Sequence, residues 1–171
     1  MTQALLTHPQ FEVDGPLPEG TTVLEASAGT GKTYTIAALA TRYVAEGVTL
    51  PRLMLVTFGR EATQELRERV RERLGATERG LASGVPSADP VTALLQRGAP
   101  EEVALRAARL RAALAQFDAA TIATTHQFCQ QMLAGLGVAG DSDPDAEFVE
   151  HTDDLVTEVV DDFYVRKYAA R

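Results

Sequence analysis

The sequence contains little that would place it outside the cell or in a membrane. It has a single cysteine, Cys129, so no internal disulfide can form and a cytoplasmic location is expected. No stretch approaches the ~18 uninterrupted apolar residues of a membrane span. The N-terminal residues also lack the basic and apolar regions of a signal peptide. We therefore predict a cytoplasmic protein with no membrane partner.

Basic residues are missing from one part of the chain. Ten of the 24 acids lie in residues 141–162, where there is no Lys or Arg, and the formal net charge is −8. The remaining 14 acids face 16 bases, a balance of about +2. The charge of the whole chain therefore argues neither for nor against a nucleic-acid partner.

What the sequence does contain is a glycine-rich turn between a short apolar run and a helical pattern. Residues 22–24 predict a strand, and residues 34–40 predict a helix. Between them lie Ala26, Ser27, Ala28, Gly29, Thr30, Gly31, Lys32 and Thr33. A strand, a tight glycine turn and Lys-Thr at a helix start are typical of a phosphate-binding P-loop, in which Gly usually occupies the place of Ala26.

The chemistry of this turn predicts a nucleotide site. Gly29 and Gly31 permit the backbone angles that bring successive N–H groups around phosphate oxygens. Lys32 would reach the β- and γ-phosphates, and the Thr33 hydroxyl would hold Mg²⁺. We predict that residues 26–33 bind ATP, that Lys32 and Thr33 are catalytic, and that Thr33 is the metal ligand. The alternative is a structural glycine turn that happens to carry Lys-Thr.

The rest of the chain predicts an α/β fold with a parallel sheet and flanking helices. Apolar runs at 52–58 and 119–125 predict two further strands, and periodic patterns predict helices at 61–74, 101–117 and 153–168. The first of these helices shows a predicted buried stripe of Ala62, Leu66, Val70 and Leu74. Residues 75–100 are predicted as a surface excursion with at most one short helix, and residues 135–145 as a boundary.

Three stretches in this order carry a resemblance to a known family. They are residues 26–33, residues 57–67 and residues 124–129. Together they resemble the first half of a superfamily 1 (UvrD-like) DNA helicase motor, and within it the RecB family, the beta subunits of exodeoxyribonuclease V. The resemblance covers most of residues 11–138.

The resemblance implies a RecA-like P-loop NTPase fold. Residues 1–138 would form the first motor domain and residues 139–171 the start of an acidic helical insertion. The chain would be the N-terminal, ATP-binding portion of an ATP-dependent helicase and nuclease that acts in double-strand break repair and recombination. ATP hydrolysis would be coupled to translocation on single-stranded DNA. Partners would be single- or double-stranded DNA and other subunits of a helicase–nuclease complex.

The resemblance also implies a set of DNA-binding residues, namely Thr57, Phe58, Arg60, Thr124, His126 and Phe128. Hydroxyls and backbone N–H groups at strand ends can bind phosphates, and aromatic rings can stack on bases without reading sequence. The family has Thr or Ser where Gly59 stands, so that contact with the DNA backbone is either lost here or supplied by Arg60. The alternatives are core packing for the two phenylalanines, and a capping or core role for His126.

Later parts of such a motor have no counterpart here. The family needs an Asp-Glu pair on a later strand, arginines from a second motor domain, and nuclease acids. Asp161 and Asp162 are interpreted as a solvated helix face. His126 and Cys129 lie one helical turn apart, but two ligands do not make a zinc site. We therefore expect a fragment that binds nucleotide and hydrolyses it poorly.

Two other functions remain open from the sequence. One is a self-contained small P-loop phosphotransferase, such as a nucleotide or metabolite kinase, that does not respond to DNA. The other is a non-catalytic interaction domain that uses ATP, or its acidic 141–162 segment, to dock a partner.

Overall fold

The computed structural model of the protein describes residues 10–27, 29–136 and 152–168. Its strands are β1 (Met54–Thr57) and β2 (Thr121–Thr124). Its helices are α1 (Lys32–Ala45), α2 (Arg60–Ser83), α3 (Pro90–Leu95), α4 (Pro100–Ala115), α5 (Thr125–Leu136) and α6 (Asp153–Tyr168). A 3₁₀ turn stands shortly before each strand, at Leu50–Arg52 and at Phe117–Ala119.

The chain divides into two units, Met1–Cys129 and Gln130–Arg171. Helix α5 crosses this division. The predicted domain boundary at 138/139, and most of the predicted 135–145 boundary segment, lie outside the described residues. Helix α6 has the predicted bounds, and all its described side chains are exposed, including Asp161 and Asp162. No helix in the described part of the chain is long and apolar enough to cross a membrane.

The sheet consists of two parallel strands among the described residues. Met54 pairs with Thr121 at one end of the register, and Thr57 pairs with Thr124 at the other. Parallel strands need a long crossover, which is supplied here by α2, α3 and α4. Arg67 of α2 donates to the carbonyl of Ile122 at 3.1 Å and so ties the crossover to β2. A mixed structure with a parallel sheet is the predicted α/β class.

The predicted strand at residues 22–24 is wrong. These residues have no strand geometry, and the Val23 side chain is 80% exposed. A parallel strand exists only where a neighbour accepts its backbone hydrogen bonds. Within the described residues, β1 and β2 pair only with each other. Residues 22–24 therefore have no strand to pair with among the described residues, despite their apolar sequence.

The core lies where α1, α2 and α4 pack together. Helix α1 contributes small side chains such as Ala38 and Ala45, which allow the neighbouring helices to approach closely. Helices α2 and α4 fill the space with larger residues, among them Leu74 and Leu110, both completely buried. The predicted stripe on α2 is confirmed at Leu66, Val70 and Leu74. Ala62 is exposed instead, because steps of four drift around a 3.6-residue helix.

Helix α2 is longer than the sequence predicts. It continues to Ser83, and Thr77 and Leu81 are buried, so the first part of the predicted 75–100 excursion belongs to the core. The short helix expected in that segment is α3. The glycines that suggested a loop allow close packing. A Cβ at Gly80 would lie 2.6 Å from Cγ2 of Thr92, so only glycine lets α3 approach α2 here.

The segment before the glycine-rich turn is fastened to α1 by two side chains. Arg42 Nη1 donates to the carbonyl of Val13 at 2.8 Å, and the Tyr43 hydroxyl donates to the carbonyl of Pro18. Burial lowers the pKa of the Arg42 guanidinium. The negative charges of Asp14 and Glu46 act to raise this pKa, but they offset the effect of burial only in part. Because α1 starts at Lys32, this anchoring holds the lead-in beside the helix that carries the predicted site.

We expect the Arg42→Ala variant to be less stable by about 2 kcal/mol, the typical worth of a hydrogen bond from a charged, partly buried donor. The Val13 carbonyl would also lose its partner. Urea unfolding followed by circular dichroism measures the change. Arg69→Ala is the matched control, since the Arg69 side chain is 59% exposed and pairs only with surface acids among the described residues. Equal losses in the two variants would show that Arg42 does not fasten the lead-in.

Candidate functional site

The glycine-rich turn has the backbone geometry that its sequence predicts. Gly29 and Gly31 adopt left-handed conformations, with φ of 78° and 83°. The Thr30 hydroxyl donates to the carbonyl of Ser27 at 2.8 Å, which closes the turn on itself. A side chain at either glycine would be strained. Ala28 lies outside the described residues.

Lys32 folds over this turn. Its Nζ donates to the carbonyls of Ser27 at 2.8 Å and Ala26 at 3.3 Å. The ammonium group therefore lies beside the loop backbone, and the side chain is exposed. An anion held by the loop would therefore lie close to this positive charge. The Lys32 ammonium can then donate to a phosphate oxygen instead of a carbonyl, because a charged phosphate oxygen is the stronger acceptor.

The first turn of α1 adds further donors. The first i to i+4 bond of the helix runs from the N–H of Thr35 to the carbonyl of Gly31, at 2.9 Å. The N–H groups of Lys32, Thr33 and Tyr34 come before it and have no acceptor within the helix. No acidic residue lies in this turn, and the N-cap Gly31 offers no side-chain oxygen. The positive end of a 14-residue helix is thus available to an anion.

Thr33 is half-buried at the second position of α1. In the described part of the chain, no group of three or more His, Cys, Asp or Glu side chains is placed to hold a metal ion. A Mg²⁺ ion at this turn would therefore rely on the Thr33 hydroxyl, phosphate oxygens and water. This set fits the ordinary preference of Mg²⁺, which keeps much of its water and binds through few protein oxygens.

One cluster beside the turn was not predicted from the sequence. Arg73 of α2 contacts Asp89, the N-cap of α3, with Nη2 at 2.7 Å from Oδ1 and 2.9 Å from Oδ2. The same nitrogen donates to the Tyr34 hydroxyl at 3.3 Å, and the guanidinium lies over the Tyr34 ring, 4.8 Å from its centroid. Burial would raise the pKa of the Asp89 carboxyl, but bonds from Thr92 and the charge of Arg73 outweigh it and lower that pKa. Only the position of Tyr34 next to the turn could have suggested the cluster.

A second group of predicted residues meets at the carboxyl end of the sheet. Thr57 and Thr124 are paired in the strand register, and the Thr125 hydroxyl donates to the carbonyl of Thr57 at 3.3 Å. Phe58 follows β1 and is 95% exposed, so the core-packing alternative for this residue is wrong. Arg60 is exposed at the first position of α2. The structure therefore brings residues 57–60 and 124–125, far apart in sequence, to one edge.

Thr124 also forms the start of α5. Its hydroxyl accepts from the N–H of Gln127 at 3.2 Å, and the Gln127 side chain accepts from the N–H of Thr124 at 3.0 Å. This reciprocal pair is a capping box. The Thr124 side chain is buried, whereas His126 is exposed and Phe128 is half-buried. The capping box thus fixes the direction in which the first turn of α5 presents His126.

The sequence that contains the three motifs matches a family model. The description of that family is UvrD/REP helicase N-terminal domain, and the match covers residues 8–169. The chain belongs to this family. The match includes both the glycine-rich turn and the sheet edge described above.

Individual relatives agree with the family. The chain is 53% identical to "RecBCD enzyme subunit RecB" of Mycobacterium tuberculosis over 162 residues, which is 93% of this chain and 15% of the relative. It is 36% identical to RecB of Escherichia coli over 67% of this chain and 10% of the relative. It is 30% identical to an ATP-dependent helicase/nuclease protein of Heliobacterium modesticaldum over 84% of this chain and 9% of the relative.

The chain thus spans about 15% of the length of the RecB relatives from Mycobacterium tuberculosis and Mycolicibacterium smegmatis. The predicted resemblance to superfamily 1 helicases and to RecB is confirmed. The alternative of a self-contained small phosphotransferase is not supported, because the matching family and the relatives are helicase proteins.

Proposed function

We propose that this chain is the ATP-binding N-terminal part of an ATP-dependent DNA helicase motor with a RecA-like fold. The observation that carries the proposal is the glycine turn that opens directly into α1, with Lys32 folded over it. Backbone N–H groups, a helix N-terminus and a lysine converge there on one small volume. These groups suit a chain of phosphates better than any uncharged ligand.

In this proposal the residues of the turn divide the work of holding ATP and Mg²⁺. Ala26, Ser27, Ala28, Gly29, Thr30 and Gly31 supply the backbone around the phosphates. Lys32 neutralises the β- and γ-phosphates, and Thr33 is the Mg²⁺ ligand. When bound, Mg²⁺ neutralises charge on the phosphate oxygens. Gly29 and Gly31 already have the positive φ angles that such a backbone cradle requires.

The sheet edge is the proposed path of single-stranded DNA. The guanidinium of Arg60 and the ring of His126 would contact the backbone, and the exposed ring of Phe58 would stack on a base. Thr57 would act through the start of α2, because its hydroxyl bonds to the Gly59 carbonyl and the Thr63 hydroxyl. Thr124 would act through the start of α5, since its own hydroxyl caps that helix. Phe128, half-buried on α5, would support the same surface.

The activity of the whole protein is inferred from the names of its relatives and is also part of the proposal. ATP hydrolysis would drive translocation along DNA in double-strand break repair and recombination, within a helicase–nuclease of several subunits. The RecB relatives are named as subunits of a RecBCD enzyme. The domain division at 138/139 and the cytoplasmic location stay predictions.

The proposal is tested by titrating the 171-residue chain with MgATP and, separately, with a short fluorescent oligothymidylate. We expect both ligands to bind, and we expect negligible ATP turnover with or without DNA. Robust turnover that is indifferent to DNA would contradict a helicase motor and favour a different class of P-loop enzyme.

Phe58→Ala is expected to weaken oligothymidylate binding by about tenfold, because stacking of one base on an aromatic ring contributes ~1–3 kcal/mol. Fluorescence anisotropy at low salt measures the affinity. Phe163→Ala is the matched control, since Phe163 is an exposed phenylalanine on α6. If both variants bind DNA as tightly as the parent chain, the sheet edge is not the DNA path.

A further inference from the structure

The unpredicted cluster of Tyr34, Arg73 and Asp89 joins the first turn of α1, helix α2 and the N-cap of α3. Asp89 is held by α3 itself, because its Oδ2 accepts from the N–H and the hydroxyl of Thr92, each at 2.8 Å. Arg73 is held in turn by Asp89, and its side chain is only 16% exposed. The carboxylate and the guanidinium therefore have fixed positions before any ligand binds.

The cluster is not arranged for stability alone. The Nε of Arg73 is buried and has no hydrogen-bond partner among the described residues. An unsatisfied buried donor is costly, and few are kept without a reason. In this orientation the Cζ of Arg73 lies over the Tyr34 ring while Nη2 reaches Asp89.

Tyr34 connects the Arg73–Asp89 pair to the start of α1. It is the third residue of α1, so its N–H is one of the first-turn donors described above. The Tyr34 side chain and its backbone N–H are attached to the same Cα, so the Arg73 guanidinium that lies over the ring bears on the backbone of the first turn of α1.

We propose that Arg73, held by Asp89, is a positioning residue for the nucleotide: it fixes Tyr34 and thereby the donor groups in the first turn of α1. This inference rests on the proposed ATP site and adds to it residues of α2 and α3 that lie outside the glycine turn. It also makes α3 part of the nucleotide site, because α3 presents Asp89.

The test is a double-mutant cycle on MgATP affinity, with a fluorescent ATP analogue as the probe. Arg73→Gln and Tyr34→Ala are each expected to weaken binding by about tenfold. The double variant should bind no more weakly than either single variant, because Arg73 acts through Tyr34. Tyr34→Phe keeps the stacked ring and should bind within about twofold of the parent. Affinities are compared at a temperature at which circular dichroism shows every variant folded.

Arg111→Gln is the matched control. Arg111 of α4 pairs with Glu78 of α2 at 2.6 Å, so it is also an arginine–carboxylate bridge between helices, and it should leave MgATP affinity unchanged. Parent-like affinity in Arg73→Gln, or losses that multiply in the double variant, would overturn the positioning role. A parent chain that fails to bind MgATP would overturn the proposed function itself, and this inference with it.

Discussion

Lys32→Ala is expected to lower the affinity of the chain for MgATP by roughly a hundredfold. The ammonium group lies beside the turn, 2.8 Å from the carbonyl of Ser27, and it is the cation nearest to the proposed phosphates among the described loop residues. Bonds between charged partners contribute about 1.5–3 kcal/mol each, and a factor of ten corresponds to about 1.4 kcal/mol. Loss of two such bonds, to the β- and γ-phosphates, accounts for the expected change.

The chain offers a clean control for this experiment. It has only two lysines, Lys32 and Lys167. Lys167 lies on α6 near the rings of Phe163 and Tyr168. Lys167→Ala removes the same charge from a different unit, so a general electrostatic effect would appear equally in both variants. If Lys32→Ala binds MgATP with the affinity of Lys167→Ala, the glycine turn is not the nucleotide site.

The parts of the fold that the sequence predicts well are those governed by local chemistry. The turn conformation follows from two glycines, and the start of α1 follows from the residues beside them. The spacing of Leu66, Val70 and Leu74 predicts their burial, because a stripe at steps of four faces one side of a helix. The strand ends at Thr57 and Thr124 could be placed side by side because parallel strands align their carboxyl ends.

The parts that it misses depend on neighbours distant in sequence. The apolar run at residues 22–24 predicts a strand, but strand geometry needs a partner, and none of the described strands pairs with it. Residues 75–100 are predicted as a surface excursion, whereas Gly80 within them serves the contact with Thr92 of α3. The Arg73–Asp89 pair spans 16 residues and two helices, so no periodic pattern indicates it.

In the candidate site too, the features that depend on local sequence are predicted and those that depend on packing are missed. Motif residues that are proposed to bind through the backbone can be predicted by name, because the geometry of the turn is encoded in its own sequence. Thr124 was predicted for its hydroxyl, and the structure uses that hydroxyl to cap α5 through Gln127. Residues that position others are harder to find in a sequence, since their effect lies in packing and not in their own chemistry.

Leu110→Ala is expected to reduce the free energy of unfolding by about 3 kcal/mol, within the range for buried leucines. Leu110 is completely buried on α4, in the cluster that also includes Val70 and Leu74 of α2. The substitution removes apolar contact and leaves a cavity that three packed helices close only in part. Urea unfolding monitored by circular dichroism gives the change.

Leu105→Ala is the matched control on the same helix, because the Leu105 side chain is 51% exposed. Both substitutions replace leucine by alanine in α4, so helix propensity changes equally and only burial differs. Equal stability in the two variants would mean that α4 does not pack in the core as described. Helix α4 contacts the C-terminal end of α1 through Arg109, which donates to the carbonyl of Ala45 at 2.8 Å. A loosened α4 is therefore expected to lower stability without altering MgATP affinity in the fraction that remains folded, because the proposed phosphate donors lie at the opposite end of α1.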